Sequence, residues 1–424
     1  MKLKRILVLT LVIIMGLSCL AGCKKEKLYS APITSEGMAN ALKRARQLTE
    51  LEWDCLEEMP RLTKENGTRI YTYFEKGKQS GIPYSSVYET NTYVGTNVSI
   101  ETFISATCNP NSYLYTKNLH YMSGEPKAVT FYGMVCSKYA GYVLGIKENY
   151  NAQHFDRISG MNKISAAKDC NLAELQRCDI LLNKSVHTAV ITDILSDKKG
   201  NIKYVEVSEE TTVPQMQRKA WTVEEFYEKY KNYDVYRYEY LKDVKYEPSN
   251  FVNVFDENKE LDDRKYDVLS RYGDKANIYL KDSSNIDFDI LTDGWENAKV
   301  YYNGEQSEID VSGKKVFSFS PSKVGYYQVI LYGEDKESRP CYFCVVDSQI
   351  TANGVDKTLT VEYSSENGKP IYMQLGSVGD SVYIPVESDG TQTVNLNDYY
   401  LSESRVLVAF ENEYGVYVSK GIWF

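Results

Sequence analysis

Turn-forming residues divide the last third of the chain into short β-forming stretches, and this pattern strongly limits how it can fold. Two sets of strands are predicted, at 278–280, 286–291, 299–302, 315–319, 326–332 and 342–346, and then at 359–363, 371–375, 381–386, 394–396, 405–410 and 416–423. Short strands separated by turns are typical of two sheets packed face to face. The pattern therefore predicts two β-sandwich modules, over residues 275–348 and 349–424.

The N-terminus has the three parts of a secretory signal. A start rich in lysine and arginine is followed by an apolar stretch over residues 6–17 and then by Leu20, Ala21, Gly22 and Cys23. The apolar stretch is shorter than the roughly 20 residues that a membrane-spanning helix needs. The last four residues resemble a bacterial lipobox, which implies that residues 1–22 are removed and Cys23 is lipidated. An ordinary signal peptide with a chance cysteine remains the alternative.

A lipid on Cys23 would hold the protein on the extracellular face of the bacterial cell membrane, with residues 23–33 as a tether. The net charge of −9 argues against nucleic acid as a partner. No second C-x-x-C and no H-x-x-x-H accompany Cys341 and Cys344. These two cysteines lie three apart in a predicted strand and so point to opposite faces. We therefore expect no metal site and no cofactor.

Residues 34–246 show mixed patterns. Apolar residues recur at helical spacing over 34–59 and again over 136–144, where Gly145 ends the second helix. Strands are predicted over 186–194 and 202–207. A capping box between Thr222 and Glu225 predicts the start of a further short helix. This region is therefore predicted to be a separate α+β domain.

Two residues of this domain suit nucleophilic catalysis. Cys136 is predicted to begin a helix, and a helix N-terminus favours the thiolate, which is the nucleophilic form of cysteine. His187 opens a predicted strand and could act as base toward the thiol and then as acid toward a leaving amine. A buried thiol that only fills space is the alternative interpretation of Cys136.

The order of motifs along this domain resembles a known family. Gly81 to Tyr84 reads Gly-Ile-Pro-Tyr, Cys136 is followed by serine, Cys178 begins Cys-Asp-Ile-Leu-Leu, His187 opens a strand, and Glu206 lies on the next strand. This order resembles the NlpC-type papain-like cell-wall cysteine peptidases. The resemblance implies a papain-like α+β fold over residues 34–246 and catalytic roles for Cys136, His187 and Glu206. It also implies that the Tyr84 hydroxyl helps to bind the oxyanion.

The sequence therefore favours a surface-anchored cysteine peptidase or amidase that hydrolyses the stem peptides of peptidoglycan through a thioester. Val135 and Lys138 stand where the family has aspartate and glycine. Two alternatives stay open: a catalytically inactive binding lipoprotein, and a hydrolase with a substrate outside the wall. Residues 321–330 loosely resemble a late strand of immunoglobulin-like surface domains. We expect the two modules to position the enzyme or to bind a partner, and to fold independently of it.

Overall fold

The structure is a computed structural model, and it describes most of the chain after the N-terminal segment. The described ranges are 27–58, 74–84, 100–116, 134–146, 151–211, 217–246, 267–271, 278–281, 285–346, 349–364, 372–376, 381–384, 390–398, 405–411 and 417–423. The predicted signal peptide, its predicted cleavage site and Cys23, the predicted lipidation site, lie outside the described residues. In the described ranges, no helix is long and apolar enough to cross a membrane.

A seven-stranded antiparallel sheet forms the centre of the first part of the chain. Its order is β4-β9-β5-β6-β7-β8, and β1 pairs with the end of β6. Its strands are β1 Tyr29–Ser30, β4 Met161–Ala166, β5 Ile180–Asn183, β6 His187–Ser196, β7 Ile202–Glu209, β8 Gln217–Thr222 and β9 Asp234–Tyr238. A separate hairpin consists of β2 Glu52–Cys55 and β3 Gly77–Ser80.

The helices of this part cover both faces of the sheet. They are α1 Glu36–Thr49, α2 Ile100–Thr107, α3 Tyr113–Thr116, α4 Cys136–Val143 and α5 Val223–Tyr230. Apolar side chains of α1, α2 and α4 pack with Ile180, Leu182 and Val190 on one face. On the other face, Phe226 of α5 packs against alternate residues of the same strands. The alternation of side chains along a strand allows one sheet to support two cores.

Several predicted elements are confirmed. Helix α4 begins at Cys136 and is followed by Gly145, whose φ of +67° suits a glycine after a helix. The capping box of Thr222 and Glu225 opens α5. The helix predicted over 34–59 is wrong in its second half, because α1 ends at Thr49 and Trp53 and Cys55 are the buried, alternating residues of strand β2.

The predicted papain-like α+β fold of residues 34–246, followed by all-β sandwich modules, is wrong as a description of this chain. The described chain is predominantly β-sheet, and among its helices only α1, with 14 residues, exceeds eight residues. The helical spacing of apolar residues predicts a mixed domain, but most buried apolar residues of 161–238 lie on strands. Short helices that pack on a sheet do not by themselves define a papain-like architecture.

The last third is all-β, as its strand pattern predicts. A three-stranded sheet, β10-β12-β15, and a five-stranded sheet, β11-β17-β16-β13-β14, share one apolar core. Their strands are β10 Val268–Ser270, β11 Ile278–Leu280, β12 Ile286–Ile290, β13 Asn297–Tyr302, β14 Glu305–Asp310, β15 Val316–Phe319, β16 Gly325–Tyr332 and β17 Cys341–Val346. Phe288 and Phe343 meet between the sheets, with ring centroids 5.5 Å apart. These two sheets form a β-sandwich.

The final residues form two further antiparallel sheets, β18-β19-β22 and β21-β20-β23-β24. Their strands are β18 Gln349–Val355, β19 Thr358–Ser364, β20 Tyr372–Gly376, β21 Ser381–Ile384, β22 Gly390–Asn395, β23 Arg405–Glu411 and β24 Tyr417–Trp423. Strands β19, β20, β21, β23 and β24 match the second predicted set, β22 only overlaps the end of its predicted position, and the sequence pattern predicts no strand at β18.

The first sandwich packs directly on the preceding part of the chain. Cys108, at the end of α2, belongs to the apolar core of the sandwich, whereas Cys344 of β17 belongs to the core around α1, α2 and α4. Arg339 forms an ion pair with Asp54 across the same boundary, at 2.9 Å. The two parts therefore share a packed interface, which the expectation of independent folding did not include.

Replacing Arg339 with methionine is expected to lower the free energy of unfolding by about 1–3 kcal/mol, because the ion pair with Asp54 is largely shielded from water. The two side chains are only 10% and 16% exposed. The matched control is Lys323→Met, which removes an ion pair with Glu305 whose side chains are 50% and 71% exposed. That change should cost much less, because an exposed ion pair contributes little to stability. Equal losses for the two variants, measured by urea unfolding, would contradict an energetic role for the interface pair.

Candidate active site

Cys136 occupies the first position of α4, where backbone N–H groups have no partner within the helix. Val135 precedes it in an extended conformation and provides no side-chain cap. Its carbonyl instead accepts the N–H groups of Lys138 and Tyr139, each at 3.0 Å. Tyr139 also joins the helix to β7 through a hydroxyl–hydroxyl bond with Ser208. The thiol is thus placed at the positive end of a helix that is anchored to the sheet.

His187 is the first residue of β6 and bridges Cys136 to an acidic residue. Its Nε2 lies 2.9 Å from Glu209 Oε2, and its ring also hydrogen-bonds the Cys136 thiol. Since Nε2 faces the carboxylate, Nδ1 is the ring nitrogen left for the thiol. The Tyr233 ring meets the imidazole edge-on, with centroids 6.4 Å apart. The thiol, the imidazole and the carboxylate therefore form a chain of hydrogen bonds, which is the arrangement that a nucleophile, its base and an orienting acid require.

Glu209, the last residue of β7, is held firmly in this position. Lys229 Nζ and Gln217 Nε2 each donate to its Oε1 at 2.7 Å. The Tyr230 hydroxyl donates to Oε2 at 3.4 Å. Its side chain is only 3% exposed. Three neighbouring side chains thus hold the carboxylate that faces the imidazole.

Burial and hydrogen bonding act in opposite directions on both partners. Burial would lower the pKa of His187, but the hydrogen bonds with Cys136 and Glu209 outweigh it and raise the pKa to about 9. Burial would raise the pKa of Glu209, but the His187 imidazole and the Lys229 ammonium outweigh it and lower the pKa to about 2. At neutral pH the imidazole is therefore charged and the carboxylate is ionised.

Glu206, which the sequence indicates as the third catalytic residue, lies elsewhere. It accepts a hydrogen bond from Thr192 Oγ1 at 2.8 Å and lies 3.5 Å from Arg218. On the neighbouring strand it pairs with Asp193, six positions beyond His187, which is about 20 Å along an extended chain. The structure therefore brings Glu209, and not Glu206, to the histidine.

The register of the hairpin between β6 and β7 explains this difference. Val190 pairs with Ser208, so Glu209, the next residue of β7, lies opposite Ala189. Glu209 is therefore on the same face of the sheet as His187. Glu206 lies an odd number of residues from Glu209 and so points to the opposite face. The sequence already contained Glu209, but only the pairing register distinguishes it from its acidic neighbours.

The structure places the backbone of Tyr84 beside the segment that leads into Cys136. It forms a parallel bridge with Met134, two residues before Cys136, and the Met134 N–H donates to the Pro83 carbonyl at 3.3 Å. The predicted role of its hydroxyl in oxyanion binding stays a prediction. Tyr233 also borders the site, and burial together with the charges of Glu209 and Cys136 raises its pKa to about 12. Its phenol thus keeps its proton at neutral pH.

Glu210 is a buried acid beside the thiol. It lies on the face of β7 opposite Glu209, and both of its carboxylate oxygens are buried without a hydrogen-bond partner among the described residues. The Thr188 hydroxyl is in the same condition. Burial, and then the charge of Cys136, raise the pKa of Glu210 well above its usual range. Burial therefore favours the neutral, protonated form of Glu210 in the folded protein.

Replacing Glu210 with glutamine is expected to stabilise the protein, by more at about pH 8 than at about pH 4. The folded-state pKa is raised, so the folded protein holds a proton that the unfolded chain releases above its ordinary carboxyl pKa. Stability falls with rising pH in that range, and glutamine removes this loss. Thermal unfolding at the two pH values measures the effect. The control is Glu228→Gln, whose side chain is 77% exposed; a similar gain in both variants would be inconsistent with burial as the cause.

Among the described residues, no group of three or more His, Cys, Asp or Glu side chains could hold a metal ion. The side chains of the site bring together a thiol and a charged imidazole that a buried carboxylate orients.

Comparison with known proteins identifies no family for this chain. No known family and no curated protein matches it. Solved structures that resemble it include fibronectin(III)-like modules of CbhA from Clostridium thermocellum, 11% identical, covering 37% of this chain and 93% of that one at a TM-score of 0.18. Two fibronectin type-III domains of chicken tenascin are 9% identical, covering 38% of this chain and 100% of that one at a TM-score of 0.22.

A segment of native alpha-2-macroglobulin from Escherichia coli is also similar, at 9% identity and a TM-score of 0.21, covering 64% of this chain and 99% of that one. At these scores the likeness says nothing about activity. Several of the similar structures are fibronectin-III or immunoglobulin modules. The identification of the chain as an NlpC-type peptidase is wrong: no known family matches the chain, and its described residues form mostly β-sheets with only a few helices.

Proposed function

We propose that the chain is a cysteine hydrolase that cleaves amide bonds through a thioester on Cys136. One observation carries the proposal: His187 hydrogen-bonds both the Cys136 thiol and the Glu209 carboxylate. Structural thiols do not need a charged imidazole, and a structural histidine does not need a thiol. The combination matches the requirements of an activated nucleophile.

The reaction would proceed in two steps. The Cys136 thiolate attacks the carbonyl carbon, and the Cys136 backbone N–H at the start of α4 stabilises the oxyanion. His187 then donates its proton to the leaving amine, the C–N bond breaks and a thioester remains. In the second step His187 takes a proton from water, the hydroxide attacks the thioester, and the free acid leaves as the thiolate is restored. Glu209 stabilises the imidazolium throughout.

The proposed substrates are the stem peptides of peptidoglycan, cleaved at the cell surface. The support is the N-terminal sequence, which predicts export and a lipid anchor at Cys23, so that the nearest abundant peptide would be in the wall. A hydrolase with another exported substrate is the second candidate. A binding lipoprotein without activity is the third, and the arrangement of Cys136, His187 and Glu209 argues against it.

The test is to trap the intermediate. The purified chain is incubated with soluble stem peptides, quenched in acid and examined by mass spectrometry. We expect an acyl group on the peptide containing Cys136, together with released amine, and no acyl group after prior alkylation of Cys136. An acyl-enzyme formed from unrelated peptide amides but not from stem peptides would support the second candidate. If no thioester forms with any amide and none is hydrolysed, the protein is not this kind of enzyme.

A further inference from the structure

We propose that Cys108 and Cys341 form a disulfide that fastens the first sandwich to the preceding part of the chain. The two residues are distant in sequence, yet both belong to the same apolar core. Cys108 follows α2, and Cys341 begins β17. The bond would be a covalent modification at the interface, separate from the site of Cys136 and independent of the proposed activity.

The contacts around Cys108 bring the two sulfur atoms together. Cys108 Sγ accepts the backbone N–H of Tyr342, the residue after Cys341, at 3.4 Å. The thiols of Cys108 and Cys341 also hydrogen-bond each other. Cys108 Sγ thus contacts both the backbone next to Cys341 and the Cys341 thiol, which places the two sulfur atoms side by side.

The pair lies in a fully buried, apolar part of the interface. Both side chains are fully buried, and the Tyr279 phenol lies close to both of them. Their pairing would tie Cys341–Val346, an inner strand of the sandwich, to α2. Cys344 lies three residues further along the same strand but faces the other core, so it cannot take the place of Cys341.

The chemistry requires an oxidant, which we assign to the class of disulfides. Cys108 as a thiolate attacks a disulfide of a small molecule or an oxidoreductase, forming a mixed disulfide and releasing one thiol. Cys341 then attacks the mixed disulfide at the Cys108 sulfur and releases the second thiol. Two protein thiols lose two protons and two electrons, and the oxidant becomes two thiols. Because both sulfurs are buried in the folded chain, the bond must form during folding, in the oxidising surroundings that export predicts.

The test maps the cysteines of the full-length protein after export. The protein is denatured without reductant in N-ethylmaleimide, digested, and analysed by mass spectrometry. We expect the peptides of Cys108 and Cys341 to be joined, with Cys344 alkylated. Alkylation of both Cys108 and Cys341, or the joining of either to another cysteine, overturns the proposal. This mapping uses the unaltered chain and so does not depend on whether a variant folds.

Two variants then measure what the bond does. Cys344→Ser should keep the joined peptides, whereas Cys341→Ser should lose them. Since the bond closes a very long loop, reduction of the unaltered protein should lower its Tm by on the order of 5–10 °C. The Tm of Cys341→Ser should not respond to the reductant. If reductant also leaves the Tm of the unaltered protein unchanged, as it should for Cys341→Ser, that result counts against the bond.

Discussion

Replacing Cys136 with alanine is expected to lower kcat/KM for amide hydrolysis by a factor on the order of 10⁴ to 10⁶, because no other group can form the thioester. His187→Ala should have an effect of similar size, since it removes both the base and the acid. The double variant should be no slower than either single variant, because the two residues act as a unit. Initial rates on a soluble amide that the unaltered protein cleaves provide the measurement.

The chain offers a matched control for this change. Cys170 is exposed to the same extent as Cys136, at 7% each. Its contact is with the Tyr227 hydroxyl, which donates to the Cys170 backbone carbonyl. Cys170→Ala should therefore leave the rate within about twofold, as expected for a residue away from the chemistry. Similar losses of activity in Cys136→Ala and Cys170→Ala would show that the loss reflects folding and not the nucleophile.

Replacing Glu209 with glutamine is expected to lower kcat by about 10- to 10⁴-fold, because an amide can orient the imidazole but cannot stabilise its charge. Glu206→Gln should change kcat by less than about threefold. The two residues lie on the same strand, but only Glu209 contacts His187. A larger loss for Glu206→Gln than for Glu209→Gln would restore the sequence-based choice and refute the one made here.

The pH dependence gives a second readout for Glu209. The pKa of His187 is raised to about 9, so activity that needs the imidazolium should fall as the pH rises through this value. Without the carboxylate charge, the pKa should move down toward its ordinary value, and the alkaline limb of the kcat profile should move with it. An unchanged limb in Glu209→Gln would mean that the carboxylate does not stabilise the imidazolium.

The same shifts predict how the ion pair contributes to stability. For His187 the contribution is fully present below its ordinary pKa of 6.5 and is lost as the pH rises through about 9. For Glu209 it is present above its ordinary pKa of 4.5 and is lost as the pH falls toward about 2. The pair therefore stabilises most in the interval between the two ordinary values.

Local signals predicted local structure well. The helix that begins at Cys136, the capping box at Thr222 and the strand that His187 opens are all confirmed. Each depends on residues close together in the chain, whose propensities and caps act over one or two turns. The opposite orientation of Cys341 and Cys344 is confirmed for the same reason, because side-chain alternation is a property of a single strand.

Signals that depend on distant residues were less reliable. The helix predicted over 34–59 ends at Thr49, because the β2–β3 hairpin places Trp53 in the core as a strand residue. The papain-like fold was inferred from the order of motifs, and an order of motifs does not specify how strands and helices are arranged. The interface that Cys108, Asp54 and Arg339 form left no local pattern in the sequence.

The sequence alone determined that the last third forms strands, that Cys136 begins a helix, and that His187 begins a strand, because these follow from periodicity and from end signals within a few residues. The tertiary structure decided which acidic residue hydrogen-bonds His187. Glu206, Glu209 and Glu210 are near neighbours of one chemical type. Pairing between β6 and β7 brings only Glu209 to the imidazole, since a shift of one residue along a strand moves a side chain to the other face of the sheet.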